Sequence, residues 1–138
     1  AGVIVLWGPG EKPLAEAVAA GAASARVRVS PETATLHRLS ALLKRTSLLV
    51  SNCSGTKHVA QASGVPTLGI YGSSDPECWT PPDDPLHQTV RLDSLPCIAC
   101  RSNTCDRGVE CLSGLGPEAV FAKLVSMPPI ARHPGVKP

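Results

Sequence analysis

A doubly wound α/β fold, with a parallel sheet and helices on both of its faces, is what this sequence predicts. Three observations carry that expectation. Short runs of strand length recur at Val3–Trp7, Arg26–Val29, Leu48–Val50 and Thr67–Tyr71, apolar throughout or nearly so except for the Arg/Val alternation of the second. Segments with helical spacing of apolar side chains lie between them, as in βαβ units. Gly and Pro mark the joints, at Gly8-Pro9-Gly10, Ser30-Pro31, Gly55 and Gly64. Strands joined through helices pair in parallel, and right-handed crossovers place those helices on both faces.

The elements follow in order. Val3–Trp7 is a continuous apolar run, as expected of a strand buried on both faces. Glu11-Lys12-Pro13 starts a helix, with Pro tolerated in the first turn, and Leu14, Val18 and Ala22 form the expected buried stripe up to about Ala23. After the strand Arg26–Val29, Thr35 is placed to cap a helix from Leu36 to about Lys44. Leu36, Leu39, Leu42 and Leu43 share one side of it. The strand Leu48–Val50 leads to a polar turn, Asn52–Thr56, and a short helix from about Lys57 to Ser63, closed by Gly64. Thr67–Tyr71 is a fourth strand and Thr89–Leu92 a fifth. Residues 73–116 are irregular and rich in Pro, Asp and Cys. Pro117–Ser126 reads as a last helix, and the Pro-rich tail 128–138 is expected to be extended. Domain organisation is thus one domain over 1–127 with that tail.

Composition narrows the function classes. The chain has 138 residues and a formal net charge of +2, with Lys+Arg 13 against Asp+Glu 11. That balance makes no electrostatic case for nucleic acid or an acidic membrane. The aromatic residues are Trp7, Tyr71, Trp79 and Phe121, too few for base-stacking RNA modules and enough only for an aliphatic core. No stretch approaches the ~20 apolar residues of a membrane span. The sequence opens on an apolar strand and not on Met, so it is expected to be a piece of a longer protein. No leader pattern precedes that strand, and a reducing compartment is expected for the six cysteines.

The segment with most chemistry is Ser47 to Thr67. A buried strand delivers Ser54-Gly55-Thr56, and a helix starts at once. In open parallel sheets, ligands bind beyond the carboxyl ends of the strands. A helix N-terminus offers free N–H groups and partial positive charge, which suits a diphosphate. Gly55 allows close backbone approach, Ser54 and Thr56 add hydroxyls, and Lys57 and His58 add side-chain donors. The competing reading is an ordinary helix cap beside an exposed histidine. Cys53 reads as a small packed thiol.

Four further cysteines, Cys97, Cys100, Cys105 and Cys111, lie in one loop. They fit a structural tetrahedral zinc site, two disulfides, or free thiols, and spacing does not choose among them.

Several blocks match a known family in order. They are Trp7-Gly8-Pro9-Gly10-Glu11, the Leu36–Leu43 helix, Ser54-Gly55-Thr56-Lys57-His58-Val59-Ala60, Gly64-Val65-Pro66-Thr67, Tyr71-Gly72-Ser73-Ser74-Asp75-Pro76, and Trp79 with Pro81. From Val3 to about Leu124 the chain resembles the C-terminal half of glycosyltransferase family 9, the ADP-heptose:lipopolysaccharide heptosyltransferases. The resemblance implies a GT-B architecture of two Rossmann-like domains, of which this chain is the donor-binding one. It implies a nucleotide-diphosphate-sugar, an ADP-sugar, held by Glu11, Ser54, Gly55, Thr56, Lys57 and His58. It implies inverting transfer, with no required cofactor, to a lipopolysaccharide-type acceptor bound by a preceding domain. The catalytic base lies in that domain, so no catalytic residue is expected in this chain, and the isolated chain should transfer nothing. The parent enzyme would be cytoplasmic, with a peripheral position at the inner face of the inner membrane open to it. One residue departs from the pattern: Cys53 stands where the family carries Asp. The rival expectations are a metal- or redox-active cysteine module on an α/β scaffold, or another GT-B member such as a sugar-nucleotide epimerase.

Overall fold

The computed structural model of the chain describes residues 2–131. The class is α/β, and every strand pairing is parallel. The chain divides into two compact units, Ala1–Leu39 and Ser40–Pro138.

The first unit is a βαβ motif: β1 (Val3–Val5), α1 (Lys12–Gly21) and β2 (Val27–Val29). Val3 lies opposite Val27, and Val5 opposite Val29. The turn before α1 is closed by Glu11, whose N–H donates to the Gly8 carbonyl at 3.0 Å while its carboxylate accepts from the Gly8 N–H at 2.9 Å. Trp7 Nε1 donates to the Ser30 carbonyl at 2.9 Å. Two expectations fail here. Val3 and Ile4 are not buried on both faces; they are 54% and 45% exposed, because β1 has one hydrogen-bonded neighbour in a two-stranded sheet. Leu14 and Val18 are exposed as well, and the residue of α1 that is buried is Ala15, whose short side chain lets the helix lie close on its strands. The next helix, α2 (Leu36–Leu43), contains the boundary between the units. Of its leucines Leu43 is buried, while Leu36 is exposed.

The second unit holds β3 (Leu49–Asn52), α3 (Gly55–Ala62), β4 (Thr67–Tyr71), α4 (Pro76–Trp79), β5 (His87–Arg91), α5 (Glu110–Ser113), α6 (Pro117–Ser126) and α7 (Pro128–Ala131). The sheet order is β3-β4-β5, with Leu49 opposite Thr67 and Thr67 opposite His87. The central strand β4 is the most buried, and Leu68 and Tyr71 are fully enclosed. Leu43, Leu49, Ala60, Val65 and Met127 complete an aliphatic core, as expected of parallel strands covered by helices.

β4 and α6 have the expected bounds. α3 starts two residues earlier than expected, and so does β5. Asp75 explains the unexpected α4: it sits before Pro76 and accepts from the Glu77 N–H at 3.2 Å, an N-cap followed by proline in the first turn. The tail expected to be extended begins instead with α7, Pro128–Ala131, and residues 132–138 lie outside the described residues.

Candidate functional site

The candidate site is the junction from β3 into α3, beside the carboxyl end of β4. Cys53 extends the β3–β4 ladder by one bond, its N–H donating to the Ile70 carbonyl at 3.2 Å. Ser54 is extended (φ −147°, ψ 165°), and its carbonyl accepts from the N–H groups of Lys57 at 3.1 Å and His58 at 3.4 Å. The N-cap residue, Ser54, makes no side-chain capping bond to the start of α3 among the described residues. The Ser54 hydroxyl lies 3.0 Å from Ser51 Oγ, which itself donates to the Asn52 carbonyl at 2.9 Å. Ser51 has one hydroxyl proton, so Ser54 donates to Ser51 and its proton is already engaged. The N–H groups of the first helical residues, Gly55 and Thr56, are thereby left available. A Cβ added at Gly55 would meet no atom of the described residues within 4 Å, its chain neighbours and own helix backbone aside. Among the described residues, no packing contact therefore requires glycine at Gly55, and the space beside its Cα is open.

Lys57 does not share that space. Its side chain is 1% exposed. The ammonium donates to the Trp79 main-chain carbonyl at 2.6 Å and to Gln61 Oε1 at 3.3 Å, and it stands 5.5 Å from the centroid of the Tyr71 ring. Gly69 makes this route possible. A Cβ there would lie 3.3 Å from Lys57 Cδ and 2.6 Å from Tyr71 Cε2. Burial lowers the Lys57 pKa from the ordinary lysine value, against an opposing pull from Cys53. Tyr71 is fully buried, its hydroxyl 2.8 Å from Thr80 Oγ1, and burial pushes its phenol up to about 12. Lys57, expected to add a side-chain donor for an anion, points inward in the structure, away from the open space.

His58, the next residue, turns the other way. Its ring is half-buried and meets the Trp79 indole at 5.5 Å between centroids, tilted by 56°. Trp79 is 52% exposed. The sequence marks Trp79 only through its spacing to Pro81.

Glu11 belongs to the first unit, where its carboxylate is held by the Gly8 N–H. The cysteine loop lies near the end of β4. The N–H groups of Ala99 and Arg101 donate to the carbonyls of Gly72 at 3.0 Å and Ser73 at 2.7 Å, and Arg101 Nη2 donates to Asp75 at 2.9 Å. The Arg101 guanidinium and the Glu77 N–H hold the Asp75 carboxyl below the usual carboxylate range. Cys97, Cys100, Cys105 and Cys111 are not brought together: all are free thiols, and among the described residues no group of three or more His, Cys, Asp or Glu could hold a metal ion. Cys111 packs over Gly72, where a Cβ would come within 2.8 Å of its sulfur. An apolar groove of about 730 Å³, lined by Val50, Ile70, Val120, Phe121 and Leu124 among others, contains none of the sequence-predicted site residues. Among the described residues, no helix is long and apolar enough to cross a membrane.

Comparison with known proteins bears on this loop directly. The family model described as glycosyltransferase family 9 (heptosyltransferase) matches residues 1–109, which include the whole β3–α3 junction and Trp79. No curated protein and no solved structure matches the chain.

Proposed function

The chain belongs to glycosyltransferase family 9, and from that premise we propose that its β3–α3 junction binds the diphosphate of a nucleotide-sugar donor, an ADP-sugar with heptose as the sugar. One observation carries this reading: α3 begins without a capping bond from Ser54, and the space beside its first residue, Gly55, is open. A diphosphate seated there accepts from the N–H groups of Gly55 and Thr56 and from the Thr56 hydroxyl, and it meets the positive end of the helix dipole. His58 stands one turn in and supplies a side-chain donor.

In the transfer step, charge builds on the leaving diphosphate as the bond from the sugar to its oxygen breaks. Fixed N–H donors aimed at that charge stabilise it without reorganising. The proposal assigns this part of the reaction to the present chain. It assigns acceptor binding and the general base of an inverting GT-B enzyme, acting on a lipopolysaccharide-type glycan in the cytoplasm, to a partner domain. Lys57 contributes from beneath the loop, and Glu11 closes the turn before α1. No metal or other cofactor is invoked. The cysteine-module alternative has no cluster of thiols to support it.

Calorimetric titration of the chain with ADP tests the reading. Binding that weakens about tenfold in His58→Ala, and is abolished when Gly55→Val fills the open space, is the expected result. No heat of binding at millimolar ADP would overturn it.

A further inference from the structure

Lys57 and His58 are consecutive residues of one helix, so their side chains leave it about 100° apart. Both nevertheless end on the same residue. The Lys57 ammonium meets the main chain of Trp79, at 2.6 Å from its carbonyl oxygen. The His58 ring meets its side chain, with centroids 5.5 Å apart. Trp79 is therefore gripped from within by a buried cation and flanked from outside by an imidazole.

We propose that Lys57 is a positioning residue for the donor loop: its buried ammonium clamps the Trp79 carbonyl and so holds the indole against His58 at the mouth of that loop. Three features make the clamp specific. Trp79 ends a helix of four residues, α4, which has little hydrogen bonding of its own to fix its last side chain. The lysine stem runs over Gly69, a route that any side chain at that position would narrow. The ammonium has a second acceptor in Gln61 Oε1, one turn along α3, which ties the clamp to the helix that carries His58. Holding the Trp79 carbonyl fixes the point from which its half-exposed indole projects, and the His58 ring packs against that indole. Lys57 thus acts on the ligand through Trp79 and His58 without touching it.

The ligand half of this inference rests on the donor-binding reading above; the clamp itself does not. The test therefore has two arms on the full chain. In the first, without ligand, NMR follows the imidazole protons of His58, assigned by their loss in His58→Gln. Trp79→Leu defines the ring-current shift that the indole imposes. Lys57→Met should lose most of that shift, and Lys57→Arg, which keeps a buried cationic donor, should restore it. Where Lys57→Met does not fold, Lys57→Gln, polar but too short to reach the Trp79 carbonyl, takes its place with the same expected loss. An unchanged shift in a folded Lys57→Met or Lys57→Gln chain overturns the clamp. In the second arm, ADP affinity should fall about fivefold in Lys57→Met and by the same factor in Trp79→Leu, with no further loss in the double variant, since both remove one coupled arrangement. Losses that multiply would overturn the shared route. Absence of ADP binding in the unaltered chain would defeat the donor-binding reading alone, and the ring-current arm would still decide the clamp.

Discussion

The Lys57 ammonium donates to the Trp79 carbonyl at 2.6 Å across 22 residues of sequence. It is a polar link between α3 and the last residue of α4. Removing it leaves that carbonyl and Gln61 Oε1 without their donor. Lys57→Met should therefore destabilise the chain by roughly 1–3 kcal/mol, the usual effect of orphaning partly buried acceptors. Urea unfolding measures it. Gln61 is the informative contrast. Its Nε2 is buried and has no partner among the described residues, so Gln61→Leu removes one weak acceptor at 3.3 Å and that donor together. That variant should stay within about 0.5 kcal/mol of the parent. Equal losses in the two variants would mean that the ammonium has no special role.

Gly69 is the position on β4 where the interior has no room for a methyl group. A Cβ there would lie 2.6 Å from Tyr71 Cε2, on a ring that is itself fully buried and cannot swing aside. Gly69→Ala should cost about 1–3 kcal/mol through overpacking. Gly55→Ala should be close to neutral for stability, because a Cβ there meets nothing. Denaturation midpoints separate these outcomes, and a destabilised Gly55→Ala would show that the open space before α3 is not open.

The sequence carries β4, α6 and the β3–α3 junction plainly, because each combines a strong apolar pattern with glycine or proline at its boundary. It carries less about direction. Lys57 and His58 are adjacent polar residues that leave α3 about 100° apart, and the absence of a side chain at Gly69 leaves room for the lysine stem on the inward side. Leu14 and Val18 have helical spacing that spells a buried stripe, yet α1 lies on its strands through Ala15. The cysteine spacing allows ligation, but among the described residues no three of these side chains gather into a metal-binding group, and the loop backbone is held instead by hydrogen bonds from Ala99 and Arg101 to the residues after β4. Asp75 reads as one of several solvated loop acids, and its capping role becomes visible only when Pro76 and Glu77 are read with it as the start of a helix.

All six cysteines are free, and none of the cysteine-loop thiols belongs to a metal-binding group among the described residues. Thiol titration in denaturant should count six reactive sulfhydryls under non-reducing conditions, and a strong chelator should leave the melting temperature unchanged. A chelator that lowers it would restore the zinc reading for Cys97, Cys100, Cys105 and Cys111.

Asp75 and Arg101 form the ion pair that fastens the cysteine loop to the start of α4, at 2.9 Å. The arginine hydrogen bond is the first cause of the lowered Asp75 pKa. A carboxyl depressed in the folded state contributes stability above its unfolded pKa and loses it as the pH falls through the folded value. Carboxyl NMR titration should therefore find Asp75 ionised below the ordinary aspartate range, and Arg101→Ala should move it up toward that range. A midpoint that does not move would show that the exposed pair is too screened to matter.

Tyr71 gives the alkaline counterpart, and its sign is opposite to that of Lys57. Burial pushes the Tyr71 phenol from its ordinary 10.0 up to about 12, so the folded state holds its proton where the unfolded chain has lost it. Stability from this group is intact below pH 10 and is lost as the pH rises from 10 toward 12, by roughly 2–3 kcal/mol for a shift of that size. Lys57 is lowered from 10.5, so the unfolded chain binds its proton more tightly and stability rises with pH as 10.5 is approached. Urea unfolding at a series of pH values should show a rise followed by a fall. Tyr71→Phe should be less stable by about 1 kcal/mol at neutral pH, because Thr80 Oγ1 loses its partner at 2.8 Å. It should also lose the fall above pH 10 while keeping the rise. Lys57→Met should do the reverse, losing the rise and keeping the fall. If Tyr71→Phe keeps the alkaline fall unchanged, the phenol is not the group responsible, and the buried arrangement of Tyr71 beneath Lys57 is wrong.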